Sequence, residues 1–279
     1  MAFTVTPVTN HREREKGILV YPVYSRRSAG LSIGINLYPD KKSCTFDCPY
    51  CEVFPFSGSN VFSLDQMKDD LCAAITAAQK QNIPVKDICF SGNGEPTLSP
   101  AFADALKQAN CIREKMTPAA ELVVITNGTG LLQPQIFSLL AAAAVNPSVN
   151  IWLKLDAGTP DWYQKINRTS LPCEKLIEKI KEFTNCAPVT IQTMLCAINK
   201  EQPPETERQA WEVLVCELGV TTKKGAGSIR KVQIYGKARP APEDPLASQL
   251  PDSYLETRAD SLRRLFAERG ITTPVEVCY

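Results

Sequence analysis

Three cysteines close together are the grouping in the sequence that is best suited to chemistry. Cys44, Cys48 and Cys51 form the pattern C-x3-C-x2-C within eight residues. Thiolates are soft ligands, so three of them in one short loop favour a single metal centre. A structural zinc or a ferredoxin-type cluster takes four protein ligands, and no histidine or fourth cysteine lies nearby. Three ligands leave one iron of a [4Fe–4S] cluster open, which indicates a reaction centre.

A single histidine limits the other chemistry open to the chain. His11 lies in a polar N-terminal stretch. Ser-His-Asp and Cys-His mechanisms would all have to use it, and a metal site with several histidine ligands cannot form. The remaining cysteines are isolated along the sequence, and several lie at apolar helix or strand positions, where cysteine packs as a small hydrophobic residue; a second cluster drawn from them stays open. They are Cys72, Cys89, Cys111, Cys173, Cys186, Cys196, Cys216 and Cys278.

A glycine-containing turn supplies a second candidate site. Residues 91–97 read Ser-Gly-Asn-Gly-Glu-Pro-Thr. Backbone exposed at glycine can approach a ligand closely and offer hydrogen bonds to it. We therefore take Gly92, Asn93, Gly94 and Glu95 as candidate ligand-binding residues.

Polar residues also end the third and fourth predicted strands. Asn127-Gly128 fits a simple turn and a binding residue equally well. Lys154 and Asp156 share one face of a strand, opposite two leucines. Charged side chains that point into a barrel are costly unless they are paired or bound to a ligand. The alternatives for Lys154 and Asp156 are therefore an internal ion pair and a bound ligand.

These residues need a scaffold that brings them together. Short apolar runs alternate with segments of helical period, which is typical of βα units around a parallel sheet. The predicted strands cover residues 31–38, 85–90, 122–126, 150–155, 189–195 and 231–235, with a short final strand at 275–278. Six units fall short of the eight in a closed barrel. We predict an α/β fold of the partial, open (β/α)6 barrel type, with a doubly wound sheet as the competing architecture.

Both architectures place the working face at the C-terminal ends of the parallel strands. The cysteine loop, residues 93–96, Asn127 and Asp156 all fall at such strand ends. We divide the chain into an N-terminal extension (1–30), a core barrel (31–240) and a C-terminal helical extension packed on the core (241–279). Capping-box spacing predicts a helix that begins after Ser63. Ser99 and Pro100 have the types of an N-cap and a first-turn proline.

Composition narrows the class of protein. The chain has 279 residues, of which 44% are hydrophobic, enough for a sizeable core. Its 31 basic and 30 acidic residues leave a formal net charge of +1, so no overall basic excess points to a polyanion. No apolar run has membrane-spanning length, and the N-terminus lacks the apolar centre of a signal peptide. We expect a soluble, cytoplasmic protein without a membrane partner.

The cysteine loop resembles that of the radical S-adenosylmethionine (radical SAM) superfamily. The hallmark of that superfamily is C-x3-C-x2-C with an aromatic residue before the last cysteine, and Tyr50 fills the aromatic place. The resemblance implies a [4Fe–4S] cluster on Cys44, Cys48 and Cys51, with S-adenosylmethionine bound to the open iron through its amino and carboxylate groups. It also implies reductive cleavage to methionine and a 5′-deoxyadenosyl radical, which takes hydrogen from a substrate.

The same resemblance implies roles for the other candidates. The turn at 91–97 is similar to the Gly-Gly-Glu-Pro segment that holds the SAM amino group, with Asn93 where the first glycine is usual. Tyr50 would seat the adenine. Lys154 would bind the SAM carboxylate and Asp156 a ribose hydroxyl. The set of implied cofactor-binding residues is Tyr50, Gly92, Asn93, Gly94, Glu95, Asn127, Lys154, Asp156 and Gln192, with Gln233 also facing the cavity.

A narrower resemblance concerns the substrate. Several segments of the chain look like those of a bacterial and archaeal radical SAM group related to the wyosine tRNA-modifying synthases. They are residues 22–27, 34–37, 90–98, 126–129, 154–157, 232–234 and 239–240. Those synthases are expected to carry a second cluster upstream of the loop, whereas this chain has no cysteine before Cys44. The near-zero net charge also weakens a tRNA substrate. Four arginines either line a site for an anionic substrate or are ordinary surface and ion-pair residues: Arg26, Arg27, Arg168 and Arg239.

The sequence leaves the hydrogen donor open. A tRNA base, a small molecule and a glycyl-radical protein all fit, the last because residues 126–128 and 153–154 look similar to activase segments. A flavodoxin- or ferredoxin-like protein is the expected reductant. The alternative from a different class is a non-catalytic iron–sulfur electron carrier or redox sensor, which would need four protein ligands.

Overall fold

A computed structural model describes residues 17–53, 55–59, 61–220, 229–238, 241 and 246–279. Two residues singled out above, His11 and Arg239, lie outside these ranges. The strands are β1 Val20–Ser25, β2 Gly30–Ile35, β3 Val85–Phe90, β4 Glu121–Thr126, β5 Val149–Lys154, β6 Val189–Ile198, β7 Ile229–Gly236, β8 Ala247–Gln249 and β9 Val275–Cys278. The helices are α1 Leu64–Lys80, α2 Phe102–Met116, α3 Pro134–Ala143, α4 Pro160–Asn167, α5 Cys173–Thr184, α6 Glu205–Gly219 and α7 Asp252–Glu268.

The chain divides into two compact units. The first contains the described residues up to Cys44 together with Val53–Thr126 and Asn146–Asn150. The second contains Thr45–Glu52, Asn127–Val145 and Ile151–Tyr279. Strand β5 therefore begins in the first unit and continues into the second. The predicted division at residues 30 and 240 stays a prediction.

The first unit is built on an antiparallel hairpin followed by parallel strands. Strand β1 pairs antiparallel with β2, β2 pairs parallel with β3, and β3 pairs parallel with β4. Helices α1 and α2 pack against each other and on these strands. The T-shaped contact of Phe90 with Phe102 joins the end of β3 to the start of α2, with ring centroids 5.6 Å apart. The C-terminal ends of β2, β3 and β4 consequently lie at one edge.

The second unit repeats the parallel pattern. Strand β6 pairs in parallel with both β5 and β7, and β7 pairs in parallel with β9. The short β8 adds antiparallel to β6. Helix α7 packs on β7, β9 and α6. Strands β5 to β7 are almost wholly buried, as expected of parallel strands covered on both faces.

Most predicted elements are confirmed within a few residues, including β3 and β9 at their predicted bounds. Helix α1 begins after Ser63, whose hydroxyl accepts a hydrogen bond from the backbone N–H of Gln66 at 3.2 Å. Strand β1 was not predicted, because Pro22 interrupts its pattern; proline is tolerated there since edge strands need not donate every backbone hydrogen bond. The short β8 and α4 were also not predicted.

The predicted start of α2 is wrong by two residues. A 3-10 turn at Pro96–Leu98 uses Ser99 to close it, because the backbone N–H of Ser99 donates to the carbonyl of Pro96 at 3.1 Å. Helix α2 then begins at Phe102 with Ala101 as its N-cap. The Ser99 hydroxyl accepts a hydrogen bond from the backbone N–H of Ala101, which precedes the helix. Ser99 therefore stabilises the turn before α2 and is not the N-cap of α2.

In the part of the chain that the structure describes, no helix is long and apolar enough to cross a membrane.

Candidate functional site

The start of the cysteine loop is paired with the glycine-containing turn in the first unit. The backbone N–H of Ser43 donates to the carbonyl of Asn93 at 2.9 Å, and the N–H of Glu95 donates to the carbonyl of Ser43 at 2.8 Å. A Cβ atom on Gly94 would lie 1.8 Å from the Ser43 carbonyl oxygen, so only glycine permits this approach. Cys44 follows directly, and the pairing fixes its backbone beside the turn.

Asn36, which the sequence did not suggest, organises the turn. Its Oδ1 accepts from the backbone N–H groups of Tyr38 and Asn93, each at 3.1 Å. Gly92 has φ +131°, and a Cβ there would lie 2.5 Å from that Oδ1. The side chain of Asn93 donates to the carbonyl of Tyr38 at 3.0 Å. Asn93, predicted to bind cofactor, thus has a side chain and a backbone that both brace the turn.

Glu95 is buried at the same turn. Its Oε1 accepts from the Thr97 backbone at 3.2 Å, from the Thr97 hydroxyl at 2.6 Å and from the Thr126 hydroxyl at 2.7 Å. Only 2% of Glu95 is exposed. The carboxylate therefore ties the end of β3 to the end of β4, a structural role that accompanies its predicted contact with the cofactor.

Gly94→Ala tests whether this close approach matters. The new methyl group meets backbone rather than a flexible side chain, so relief requires the Ser43–Gly94 pairing to open. We expect the free energy of unfolding to fall by about 1–3 kcal/mol, the usual cost of overpacking, measured by urea denaturation. Gly219→Ala is the control, because its Cβ would meet Ile271 at an ordinary 3.5 Å. Equal stability of both variants would contradict the account.

In the second unit, Lys154 and Asp156 form a buried ion pair. The Lys154 ammonium lies 3.2 Å from Asp156 Oδ2 and donates to the Tyr235 hydroxyl at 2.6 Å. It also lies 5.0 Å and 5.2 Å from the ring centroids of Tyr50 and Tyr235. Asp156 accepts from the Tyr50 hydroxyl and, at 2.9 Å, from the Met194 backbone. The internal ion pair, one of the two alternatives left open by the sequence, is present.

The charges of this group act on one another. Burial is the largest single influence on the pKa of Lys154 and would lower it, but Asp156, Tyr235 and Cys48 together outweigh burial, so the pKa lies well above its ordinary value. Burial and the same carboxylate raise the pKa of Tyr50. Burial also raises the pKa of the Cys48 thiol to about 11, with Asp156 adding to the rise and Lys154 opposing it. Cys48, Tyr50, Lys154 and Asp156 are therefore electrostatic neighbours.

The end of α4 holds the middle of the cysteine loop. The side-chain amide of Asn167 donates to Cys48 Sγ at 3.7 Å, and the Asn167 carbonyl accepts from the Asp47 backbone at 2.9 Å. Arg168, in the left-handed conformation with φ +46°, lies 3.4 Å from the Asp47 carboxylate. Arg168, an expected anion-binding residue, is thus engaged with the loop.

Two further candidates are built into side-chain networks. Asn127 Oδ1 accepts from the backbone and hydroxyl of Thr129 at 3.0 Å and 2.7 Å, and its Nδ2 donates to the Thr45 hydroxyl at 3.2 Å. The turn at Asn127 is therefore connected to the residue after Cys44. Gln192 is fully buried and donates to Gln233 at 2.8 Å. Since Gln192 and Lys154 are register partners on β6 and β5, they occupy neighbouring positions of the sheet.

Arg26 and Arg27 do not support the expected anion site. They lie in the turn between β1 and β2, because β1 runs antiparallel to β2. That turn is at the opposite end of β2 from Asn36 and the glycine-containing turn. Arg27 instead influences Asp87, whose pKa is raised by burial and partly lowered again by this guanidinium. The surface or ion-pair alternative fits these two arginines, and their position was not expected because the hairpin was not recognised from the sequence.

The ligand set Cys44, Cys48 and Cys51 stays a prediction. Within the described ranges, no three or more histidine, cysteine, aspartate or glutamate side chains are grouped so as to hold a metal ion. All eleven cysteines lie in those ranges as thiols rather than disulfides. Asn36, Asn167 and Tyr235 are the supporting residues that sequence reasoning missed. Only Tyr235 carried a signal, because it lies two residues after Gln233 and so shares its face of β7.

Comparison with known proteins gives the family and the fold. A UPF0026 protein of Helicobacter pylori (strain J99) is 25% identical over 174 residues, 60% of this chain and 52% of that protein. The crystal structure of Streptococcus suis SuiB bound to S-adenosylmethionine has a TM-score of 0.63 and 13% identity, covering 88% of this chain and 50% of SuiB. A structure of TYW1 with a lysine–pyruvate adduct bound has a TM-score of 0.56 and 14% identity, covering 84% of this chain and 73% of TYW1.

The chain thus spans about half the length of the H. pylori relative. The structural likeness confirms the predicted α/β fold of the partial (β/α) barrel type and decides against a doubly wound sheet. A model of the radical SAM superfamily matches residues 40–210, more than half of the chain and including all three cysteines of the loop. The resemblance inferred from Cys44, Cys48, Cys51 and Tyr50 is confirmed: this chain belongs to the radical SAM superfamily.

Proposed function

We propose that this chain is a radical SAM enzyme in which Cys44, Cys48 and Cys51 hold a [4Fe–4S] cluster. The observation that carries the proposal is the backbone pairing of Ser43 with Gly94. It fixes the residue before Cys44 against a turn whose sequence resembles the SAM-binding segment of the superfamily. Membership of the superfamily implies an iron–sulfur cluster and SAM; the cluster type and its ligands are our proposal.

The residues around Cys48 fit such a group. The Asn167 amide donates to the Cys48 sulfur, and N–H groups of this kind are typical partners of cluster thiolates. Cys48 is buried enough that its thiol pKa is raised to about 11, so metal binding must displace its proton. Lys154, close enough to lower that pKa, favours the thiolate form.

When bound, the cluster supplies an electron to SAM, which separates into methionine and a 5′-deoxyadenosyl radical that takes hydrogen from the substrate. The chain positions the cofactors and excludes water. The glycine-containing turn at residues 92–95 binds the methionine end. Lys154 supplies positive charge for its carboxylate, Asp156 accepts from a ribose hydroxyl, and the Tyr50 ring offers an apolar face for adenine. Asn127 and Gln192 complete the proposed set of cofactor-binding residues.

The direct test is anaerobic reconstitution with iron and sulfide, followed by dithionite and SAM. We expect 5′-deoxyadenosine and methionine in equal amounts by liquid chromatography, and none without dithionite. A reduced cluster that yields no 5′-deoxyadenosine would contradict the proposal. The electron paramagnetic resonance (EPR) spectrum of the reduced cluster is the companion measurement. A shift on adding SAM requires an open iron and so excludes the electron carrier or sensor with four protein ligands.

The substrate and the reductant belong to the same proposal. The hydrogen donor is a tRNA base, a small molecule or a glycyl-radical protein, and a flavodoxin- or ferredoxin-like protein supplies electrons. Total tRNA separates the first donor from the others, since phosphate contacts make such a complex salt-sensitive. Binding that weakens steeply between low and moderate salt favours the base. A net charge of +1 argues for one of the other two.

A further inference from the structure

We infer that Asn167 is a positioning residue that raises the reduction potential of the cluster by donating its side-chain N–H to the sulfur of Cys48. The inference rests on the proposed function, because it requires Cys48 to be a cluster ligand. It assigns to the end of α4 a role that neither the cysteine pattern nor the cofactor-binding residues suggest.

Asn167 is attached to the loop at two successive residues. Its carbonyl accepts from the Asp47 backbone at 2.9 Å, while its Nδ2 lies 3.7 Å from Cys48 Sγ. Only 3% of Asn167 is exposed. Because Asn167 is buried and makes two contacts with the loop, its side-chain amide keeps a fixed distance and direction to the Cys48 sulfur without support from solvent.

Other contacts keep α4 in this place. The Tyr163 ring meets the Phe46 ring edge-on, with centroids 5.9 Å apart. At the end of the helix, Arg168 turns into the left-handed region and lies near Asp47. The loop residues on both sides of Asp47 therefore contact α4, and Asn167 does not have to hold the loop by itself. A loss of its amide can thus be separated from a loss of the loop.

The chemistry of the group favours a tuning role over packing. A buried amide that served only to fill space would cost desolvation that leucine, of similar size, avoids. An N–H donor stabilises negative charge on sulfur, and reduction adds one negative charge to the cluster. Hydrogen bonds to cluster sulfurs are among the factors that set the potential.

The test is an EPR-monitored redox titration of reconstituted wild type, Asn167→Leu and Asn167→Asp. Leucine removes the donor, and aspartate replaces it with an acceptor of the same shape. We expect the potential to fall in the order wild type, leucine, aspartate. Loss of the donor should change the reduction equilibrium about tenfold, which is 59 mV for a one-electron couple. A merely structural role would not produce this order. Asn185→Leu, at the end of α5, is the control.

The outcomes are distinguishable. If wild type forms no SAM-responsive cluster, the proposed function fails. If its cluster forms and Asn167→Leu has an unchanged potential, this inference fails and the proposed function stands. If Asn167→Leu holds no cluster, the reduction potential of Asn167→Asp is compared with that of wild type. Equal potentials would overturn the inference. If neither variant holds iron while Asn185→Leu does, Asn167 is required for the loop itself, and the tuning role is overturned.

Discussion

Cys48→Ser is expected to abolish 5′-deoxyadenosine formation and to lower the iron content of the reconstituted protein. Serine keeps the size of the side chain but replaces a soft thiolate ligand with a hard hydroxyl, which iron–sulfur clusters do not favour. Cys48 is also the loop cysteine that receives the Asn167 amide and senses both Lys154 and Asp156. Product measured by chromatography should drop to the level seen without dithionite.

A matched substitution separates this effect from a general loss of thiols. Cys111 lies exposed on α2, outside the loop. Cys111→Ser should keep wild-type iron content and product yield. Cys44→Ser and Cys51→Ser should behave as Cys48→Ser does. Full product from any of the three loop variants would remove that cysteine from the ligand set, while loss of product in Cys111→Ser would point to a different one.

Asp156→Asn is expected to cause the largest loss of stability. It leaves the Lys154 ammonium, whose side chain is only 15% exposed, without its counter-charge. Breaking a buried pair in this way costs about 3–5 kcal/mol, measured as the free energy of unfolding in urea. The pKa of Lys154 is raised above its ordinary 10.5, so its contribution is complete below that pH and is lost only as pH rises further. The cost should therefore be constant across the neutral range.

Two comparisons show whether burial is the cause. The exposed pair of Lys181 with Glu217 has the same chemistry, with side chains 44% and 48% exposed. Glu217→Gln should cost less than about 1 kcal/mol. In the double variant of Lys154→Met with Asp156→Asn, neither charge remains, so its loss should be smaller than the sum of the two single losses. Additive losses would mean that the two charges do not stabilise each other.

The sequence predicted the parallel strands well because each contains a short, mostly apolar run, which is visible without knowledge of its partners. Strand β1 was not predicted because Pro22 interrupts its apolar pattern. Its strand conformation is evident only from its pairing with β2. The same error misplaced Arg26 and Arg27. A pattern confined to one strand does not reveal an edge strand whose main support is its pairing with the next strand.

The candidate site was predicted where its chemistry is local and missed where it is not. The cysteine pattern, the glycine-containing turn and the alternation of Lys154 with Asp156 are all readable within a few residues. Asn167 is separated from Cys48 by 119 positions, and nothing near it in the sequence marks it as a partner of sulfur. Asn93 shows the opposite case. Its position in the glycine-containing turn suggested that it binds the cofactor, whereas its side chain stabilises the turn by donating to the carbonyl of Tyr38.

The pairing of Ser43 with Gly94 also sets an order of events during maturation. These residues are far apart in sequence, so the pairing cannot form until β3 has docked beside β2 and closed the intervening chain. A nascent chain that has emerged only as far as the cysteines therefore lacks the partner that fixes Cys44. Iron delivered at that stage would encounter Cys44 on an unfolded segment. Iron delivered after the turn has folded would encounter Cys44 with its backbone position fixed. Under the proposed function, we therefore expect the cluster to assemble on the folded protein rather than on an emerging peptide.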